Sequence, residues 1–341
     1  MLKLGTSFVI VALSTLLFIG NSFADTASNL APKPIKVRWL IAHEPIDAFR
    51  RAAKTFSAEL SKESHGQMTL EILTPKDFGS SENMNPKKIF RLLRSGQVEL
   101  SQTVTTGVGS IEPKFFVLDL PFLFKSHEHA SRVLDGAIGH QLLASLDKTQ
   151  VHGLAFTYSG GFRVVPSSNR AIHSADDFKG LNVRTTNSPV AQETLRLLGA
   201  KPVPMGINAT KSALESNNVD AAETTYIRIP NVASDNTKFI NETHHSLFLT
   251  AILASRKFYD SLSEENRGAL SRAALSAAKI ERQDSVDDGE KAKAAFQKKG
   301  VEIVEMSAAN RTIFENRLQP VYKTFEGTLG KDLIQSILAQ Q

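Results

Sequence analysis

Apolar and polar positions in the first third of the chain follow two different periods. Short runs with an apolar residue at every second position are typical of strands, and longer runs with apolar residues three or four positions apart are typical of amphipathic helices. Because the two patterns alternate, they predict an α/β domain whose strands are largely parallel. The predicted strands span 35–42, 68–73 and 98–104, and the predicted helices span 45–61 and 85–94.

Two later strand-like runs, at 151–158 and 246–255, predict crossings between this lobe and a second one. Two crossings would form a hinge. Residues 263–299 have helical composition almost throughout, and a helix of that length would extend roughly 54 Å, enough to span both lobes. The sequence Asp287-Asp288-Gly289 leaves open whether this helix is interrupted. A last strand at 301–304 and helices over 308–339 complete the pattern.

These patterns predict the boundaries of the two lobes. Residues 35–158 form the first part of lobe 1, and 159–245 form lobe 2. Residues 246–341 return to lobe 1 and contain the long interlobe helix and the C-terminal helices. Within the lobes, Ser126 is predicted to cap a helix towards Leu146, and Asn208 to cap a short helix that ends at Asn217. The run from Asp119 to Phe124 is predicted to be core.

The segment 180–189 predicts a strand, a polar turn and the start of a helix. Arg184 lies at the strand end, Ser188 is a favoured N-cap, and Pro189 suits the first helical position. A guanidinium beside the unpaired N–H groups of a helix start is suited to a small anion. The alternative is an arginine in a surface ion pair. Arg163, which follows Gly160-Gly161, is a second cation in the same predicted lobe.

The N-terminus has the pattern of a secretory leader. A positive start is followed by an apolar run over 8–19 and by Ser22-Phe23-Ala24, which predicts cleavage after Ala24. A membrane anchor is less favoured because the apolar run is shorter than the ~20 residues of a bilayer span. The chain has no cysteine, so it has neither disulfides nor a lipidation site, and a periplasmic location is predicted.

Charge and motifs exclude several function classes. The net charge of +5 is spread along the chain, which indicates mild attraction for anions and no nucleic-acid partner. No nucleophile elbow, phosphate loop or dinucleotide fingerprint is present, so no enzyme activity and no cofactor are predicted. His127 and His129, two apart on a helix, cannot easily share a metal ion, and no metal is predicted. His244-His245 is predicted to be packing or surface.

In the first lobe, the carboxyl ends of the predicted strands present three further candidate ligand residues to a cleft. These are His43, Thr105 and Thr106. Together with the two arginines, they indicate a binding site rather than a catalytic one.

Five motifs resemble the solute-binding proteins of tripartite ATP-independent periplasmic (TRAP) transporters, of the dicarboxylate-binding DctP type. They occur in family order at 117–124, 161–163, 177–184, 198–205 and 219–223. The resemblance implies a two-lobed periplasmic binding protein fold with a long helix across both lobes. It also implies a function: the protein delivers an organic acid to a membrane permease driven by an ion gradient.

In that family, the arginine that matches Arg184 forms a paired salt bridge with the substrate carboxylate, and the one that matches Arg163 often assists. The glutamate that matches Glu223 is commonly followed by Asn-Pro, where this chain has Thr224-Thr225. Ile207 replaces a frequent aromatic residue. The resemblance therefore adds Glu223, Thr224 and Ile207 to the candidate ligand residues, beside Ser188 from the local pattern.

Two hypotheses remain open at this stage. In the first, a monomeric protein hands its ligand to TRAP permease subunits. In the second, a periplasmic sensor subunit binds the same kind of ligand and docks on a receptor kinase. The sequence does not name the acid.

Overall fold

The strands in the described part of this chain form two sheets, one of five strands and one of six. A computed structural model describes residues 1–2, 33–42, 47–80, 83–233 and 236–341, and the residues Pro34–Gln341 form one compact unit. The predicted leader with its cleavage site, and the candidate residue His43, lie outside the described residues. In the described ranges, no helix has the length and apolarity that a membrane span requires.

The first sheet begins as a parallel sheet and ends as an antiparallel one. In spatial order, its strands are β2 (Met68–Leu73), β1 (Ile35–Ile41), β3 (Leu100–Val104), β10 (Leu247–Ser255) and β4 (Val151–Phe162). The predicted parallel pairing holds for β1, β2 and β3. β10 runs antiparallel to both of its neighbours because it returns from the second sheet. All nine residues of β10 are buried, as its continuous apolar run requires.

The second sheet is mixed. In spatial order, its strands are β11 (Glu302–Glu305), β9 (Phe239–Glu242), β5 (Val165–Ser167), β8 (Ala221–Ala222), β6 (Asn182–Thr185) and β7 (Lys201–Pro204). The sequence boundaries grouped the strand β11 with the return to lobe 1, but it pairs in parallel with β9 of the second sheet. The long helix that precedes β11 carries the chain back to this sheet.

Helices cover the sheets and connect their strands. They are α1 (Asp47–Glu63), α2 (Pro86–Ser95), α3 (Thr105–Val108), α4 (His127–Asp135), α5 (Ala137–Ala144), α6 (Pro189–Leu197), α7 (Ile207–Glu215), α8 (Ile229–Val232), α9 (Arg256–Ser261), α10 (Glu264–Lys298), α11 (Ala308–Leu329) and α12 (Lys331–Leu338). Short 3₁₀ helices lie at Pro75–Phe78, Pro113–Asp119, Asp147–Thr149, Ala175–Phe178 and Tyr226–Arg228.

The structure corrects the predicted length of one helix and the predicted N-cap of another. Ser126 does cap a helix, since its Oγ accepts from the His129 N–H at 3.2 Å. The helix stops at Gly136, however, whose extended backbone (φ −91°, ψ −172°) separates α4 from α5. Asn208 is not an N-cap, because Gly206 holds that position and Asn208 lies in the first turn of α7. Its amide oxygen instead accepts a hydrogen bond from Asn83.

The long helix α10 is continuous over 35 residues, about 52 Å. Asp284 and Asp288, one turn apart, both pair with Arg51 of α1, so the acidic stretch is held in helical geometry by a neighbouring helix. Small buried residues of α10, among them Ala273 and Ala277, pack against the first sheet and α1. Near its other end, Phe296 packs on the small core of the second sheet. The helix therefore contacts both sheets.

Candidate functional site

Arg184 is positioned by β6, which lies between β8 and β7 in the second sheet. Its guanidinium is buried and donates to two backbone carbonyls, those of Met205 at 2.8 Å and Glu223 at 3.3 Å. Its Nε is buried and has no hydrogen-bond partner among the described residues. Burial, reinforced by the charge of Arg163 and opposed by that of Glu223, lowers the pKa of Arg184 to about 10. The group is a desolvated cation held by neutral acceptors.

Arg163 follows the end of β4, which runs four residues further than the predicted crossing. It is only 1% exposed. Its guanidinium carbon lies 3.8 Å from the centroid of the Phe248 ring. Its Nη1 is 3.5 Å from Glu223 Oε1, which is within ion-pair range, but neither Nη1 nor Nη2 forms a hydrogen bond in the described part of the chain. Nη1 and Nη2 of Arg163 are therefore available to donate hydrogen bonds to a ligand.

Glu223 follows β8 and is almost fully buried between the two arginines. Oε1 accepts from Thr185 Oγ1 at 2.6 Å, and Oε2 lies 3.1 Å from His245 Nε2. Burial alone would raise the pKa of Glu223, but the charge of Arg163 and the hydrogen bonds from His245 and Thr185 hold it well below its usual range. The carboxylate is therefore ionised, and it lies within ion-pair range of Arg163.

His245 is buried, as a packing residue would be, but it also forms two hydrogen bonds inside the site. Its Nε2 lies 3.1 Å from Glu223 Oε2, and its Nδ1 lies 2.7 Å from the Thr243 hydroxyl oxygen. Thr243, His245 and Glu223 thus form a buried hydrogen-bond chain. The only sequence signal was a His-His pair beside a predicted crossing. That pair does not show whether either histidine is buried and hydrogen-bonded or exposed.

Asp119 is a second buried carboxyl in the site. It ends the 3₁₀ helix Pro113–Asp119, and its Oδ2 has no hydrogen-bond partner within the described ranges. Burial raises the pKa of Asp119 to about 6, against the opposing effects of Arg163 and of a hydrogen bond from Ser188. Ser188 also accepts from the Ala191 N–H at 3.3 Å, as the predicted N-cap of α6. Ser188 therefore joins the helix start to the charged cluster.

Arg228, which the sequence analysis did not single out, is a third buried guanidinium. It ends the 3₁₀ helix Tyr226–Arg228, is 3% exposed and lies against the same Phe248 ring as Arg163, with its Cζ 5.1 Å from the centroid. Burial, together with the charges of Arg184 and Arg163, lowers the pKa of Arg228 to about 9. The only sequence signal was its position a few residues after Glu223.

The remaining candidates lie at different places around this cluster. Thr105 Oγ1 donates to the Leu249 carbonyl at 3.2 Å, one residue beyond Phe248, and Thr106 is buried beside it at the start of α3. Thr224 is buried and exchanges backbone hydrogen bonds with Val164 at 2.8 and 2.9 Å. Ile207 begins α7 and is partly exposed. In the described residues, no group of three or more metal-ligating side chains is close enough to hold an ion.

Comparison with known proteins places this geometry in a family. Residues 42–328 match the family described as bacterial extracellular solute-binding protein, family 7, or DctP. The 2,3-diketo-L-gulonate-binding periplasmic protein YiaO of Escherichia coli is 28% identical over 289 residues, which are 84% of this chain and 86% of that protein. The C4-dicarboxylate-binding periplasmic protein DctP of Rhodobacter capsulatus is 26% identical over 330 residues, 94% and 97% of the two chains.

A solved structure has the same fold. The sugar acid binding protein DctPAm of Advenella mimigardefordensis, in complex with galactonate, superimposes with a TM-score of 0.81 at 26% identity and covers 90% of this chain and 98% of its own. The two-lobed α/β fold expected from the sequence is thereby confirmed. The chain belongs to bacterial extracellular solute-binding protein family 7, the DctP family of TRAP solute-binding proteins that its sequence motifs resemble.

Proposed function

We propose that this chain is the periplasmic solute-binding protein of a TRAP-type transporter, which captures an organic acid by its carboxylate and delivers it to the membrane permease. The observation that carries the proposal is Arg184, a buried guanidinium that donates to two carbonyls and whose Nε has no hydrogen-bond partner in the described part of the chain. A planar guanidinium can hold both oxygens of a carboxylate in parallel hydrogen bonds. The family is one of transport binding proteins, not of enzymes.

The known ligands of relatives support the same chemistry. Two relatives are named for binding 2,3-diketo-L-gulonate and C4-dicarboxylates, and the similar solved structure contains galactonate. All of these ligands are carboxylates. In this chain, Nη1 and Nη2 of Arg163 have no hydrogen-bond partner among the described residues, and Glu223 lies within ion-pair range of Arg163. We assign Ser188, Thr105, Thr106, Thr224 and Ile207 to the walls around the bound acid, with His43 as a further ligand candidate.

The test begins with a thermal-shift screen of the mature protein against organic acids, since a ligand at 100 times its Kd adds about 2.7 kcal/mol to stability. Calorimetric titration of Arg184→Lys with the best acid should then show affinity lowered roughly 30-fold or more, because lysine keeps the charge and loses the planar fork. Arg163→Lys should lower affinity less.

Arg196→Lys is the matched control for Arg184→Lys. Arg196 lies on α6, where its exposed guanidinium pairs with Glu193, so its replacement should leave affinity unchanged. Wild-type affinity in Arg184→Lys would contradict the proposal.

We also propose export with cleavage after Ala24, because Ser22 and Ala24 supply the small residues of a signal-peptidase site. Mass spectrometry of the protein from a periplasmic extract should give a mature chain that begins at Asp25. A retained leader, or a start more than a few residues away, would count against this site.

A further inference from the structure

Glu281 is a carboxyl group buried in the middle of the long helix α10, where it is 1% exposed. Its two oxygens have different partners. Oε2 accepts from the backbone N–H of Tyr158 at 2.8 Å, and Oε1 is hydrogen-bonded to Ser285 Oγ at 2.9 Å. Burial raises the pKa of Glu281 to about 8, against the opposing effects of these hydrogen bonds and of Arg282. Near neutral pH the carboxyl is therefore mostly protonated, and it acts as a hydrogen-bonding group rather than as a counter-charge.

The N–H group that Glu281 binds belongs to the outer edge of the first sheet. β4 is the end strand of that five-stranded sheet and pairs with β10 on one side only. The backbone groups on its other side therefore need partners from outside the sheet. Glu281 supplies the partner for Tyr158, and two residues earlier Arg282 Nη1 donates to the Phe156 carbonyl at 2.8 Å. The helix α10 is thus hydrogen-bonded along the free edge of β4.

This edge contact comes directly before the part of β4 that enters the ligand site. Tyr158 is the last residue of β4 that is in register with β10 before Ser159 and Gly160 leave the ladder. Ser159 Oγ accepts a hydrogen bond from Arg228 Nε at 2.5 Å. Arg163 follows the end of the same strand. A displacement of Tyr158 would therefore move the segment from which both buried arginines take their places.

We propose that Glu281 is a positioning residue for ligand binding: by holding Tyr158 against α10, it fixes the segment of β4 that supports Arg228 and leads to Arg163. It acts through Tyr158 and not through contact with the ligand. The proposal deepens the proposed function and rests on it. A bond that only stabilised the fold could lie anywhere along this 35-residue helix, whereas this one holds the residue next to the bulge.

Substitutions that change the length or the chemistry of this side chain test the inference. Near neutral pH, Glu281→Gln keeps a carbonyl oxygen at the same reach and resembles the protonated carboxyl, so affinity should stay within about threefold of the wild type. Glu281→Asp keeps the carboxyl but is one methylene shorter, so affinity should fall about tenfold. Calorimetric titration measures both, with whichever of galactonate, 2,3-diketo-L-gulonate and succinate the wild type binds most tightly.

Two controls separate positioning from stability. Ser285→Ala removes the other partner of the carboxyl and leaves the contact with Tyr158, so it should keep wild-type affinity. Phe56→Leu removes ring packing against Trp39 in the core of the first sheet, so it should lower the melting temperature without lowering affinity. Thermal melts of the ligand-free variants report the stability of each. If Glu281→Asp does not fold, Glu281→Leu, which removes the acceptor and fills the space with apolar atoms, gives the same comparison.

The outcomes distinguish this inference from the function on which it rests. Wild-type affinity in the shortened or apolar variant, or an equal loss in Glu281→Gln, would overturn the positioning role and leave the proposed function standing. A loss in Phe56→Leu as large as that in Glu281→Asp would do the same, because affinity would then follow stability. Failure of the wild type to bind any carboxylic acid, or wild-type affinity in Arg184→Lys, would remove the proposed function and this inference together.

Discussion

Asp119 makes the stability of the site depend on pH. Burial raises the pKa of Asp119 from 3.8 to about 6, against the charge of Arg163, so the folded protein binds this proton more tightly than the unfolded chain does. A carboxyl whose folded pKa is raised contributes stability below its unfolded pKa, and this contribution is lost as the pH rises through the folded pKa. The window for Asp119 is therefore about pH 4 to 6.

We predict that Asp119→Asn changes this dependence. A shift of about two pKa units corresponds to roughly 3 kcal/mol, so stability relative to the wild type should rise by up to about that amount between pH 4 and pH 6.5. Urea unfolding of both proteins at several pH values measures the difference. Glu223 is present in both proteins, and its lowered pKa places its own contribution below about pH 4.5, at the acid edge of this range. A pH-independent difference would contradict the assignment.

At the scale of elements, β4 contains an irregularity that joins the two sheets. Its register with β10 shifts between Tyr158, opposite Leu249, and Gly161, opposite Phe248, so Ser159 and Gly160 bulge out of the ladder. The Ser159 carbonyl accepts from Thr225 Oγ1 at 2.6 Å. The bulge thus lets the strand reach the segment that holds Arg228, and it directs Arg163 into the site.

Gly160→Ala should disrupt this bulge. Gly160 has φ +93°, and an added Cβ would lie 2.4 Å from Thr225 Oγ1 and 2.6 Å from Ile227 Cγ1. Backbone strain and the clash together should cost about 2 to 5 kcal/mol of unfolding free energy. Denaturant unfolding measures the loss.

Gly180→Ala is the matched control for the clash in Gly160→Ala. Gly180 also has a positive φ, +78°, but an added Cβ there would meet nothing within 4 Å. Its cost should be limited to about 1 to 2 kcal/mol of backbone strain. Equal losses in the two variants would show that the contact with Thr225 and Ile227 does not matter.

At the scale of the whole molecule, the chain passes between the sheets at three places in its described part. β4 leads into β5, β9 leads into β10, and α10 leads into β11. The sequence predicted the first two passages as a hinge. Because few segments connect the two sheets, we expect each sheet with its helices to move as a rigid body around a bound anion.

Closure should make the protein more compact. Small-angle scattering should give a smaller radius of gyration with a saturating acid than without it, and its forward intensity should correspond to one chain, since we also propose a monomer. Scattering of Arg184→Lys at the same acid concentration is the control, because this variant should stay open. An unchanged radius in the wild type would contradict the hinge.

The sequence by itself determined the first three strands, the start of α6 and the family. Alternation of apolar residues located β1, β2 and β3, and the Ser188-Pro189 pair located the start of α6 beside Arg184. These features are local, since they depend on residues within a few positions of one another. The motifs from 117 to 223 identified the family because they recur in a fixed order.

Only the tertiary structure decided which distant residues share one buried site. Arg228, His245 and Asp119 come from three separate segments, and each has an unremarkable local pattern. Their burial, their partners and the pKa values of Arg228 and Asp119 arise from the packing of those segments around Arg163 and Glu223. The same holds for β11, whose pairing with β9 depends on where a 35-residue helix ends. Electrostatic interactions and strand pairing depend on the distances between residues that are far apart in the sequence. A local sequence pattern does not specify those distances.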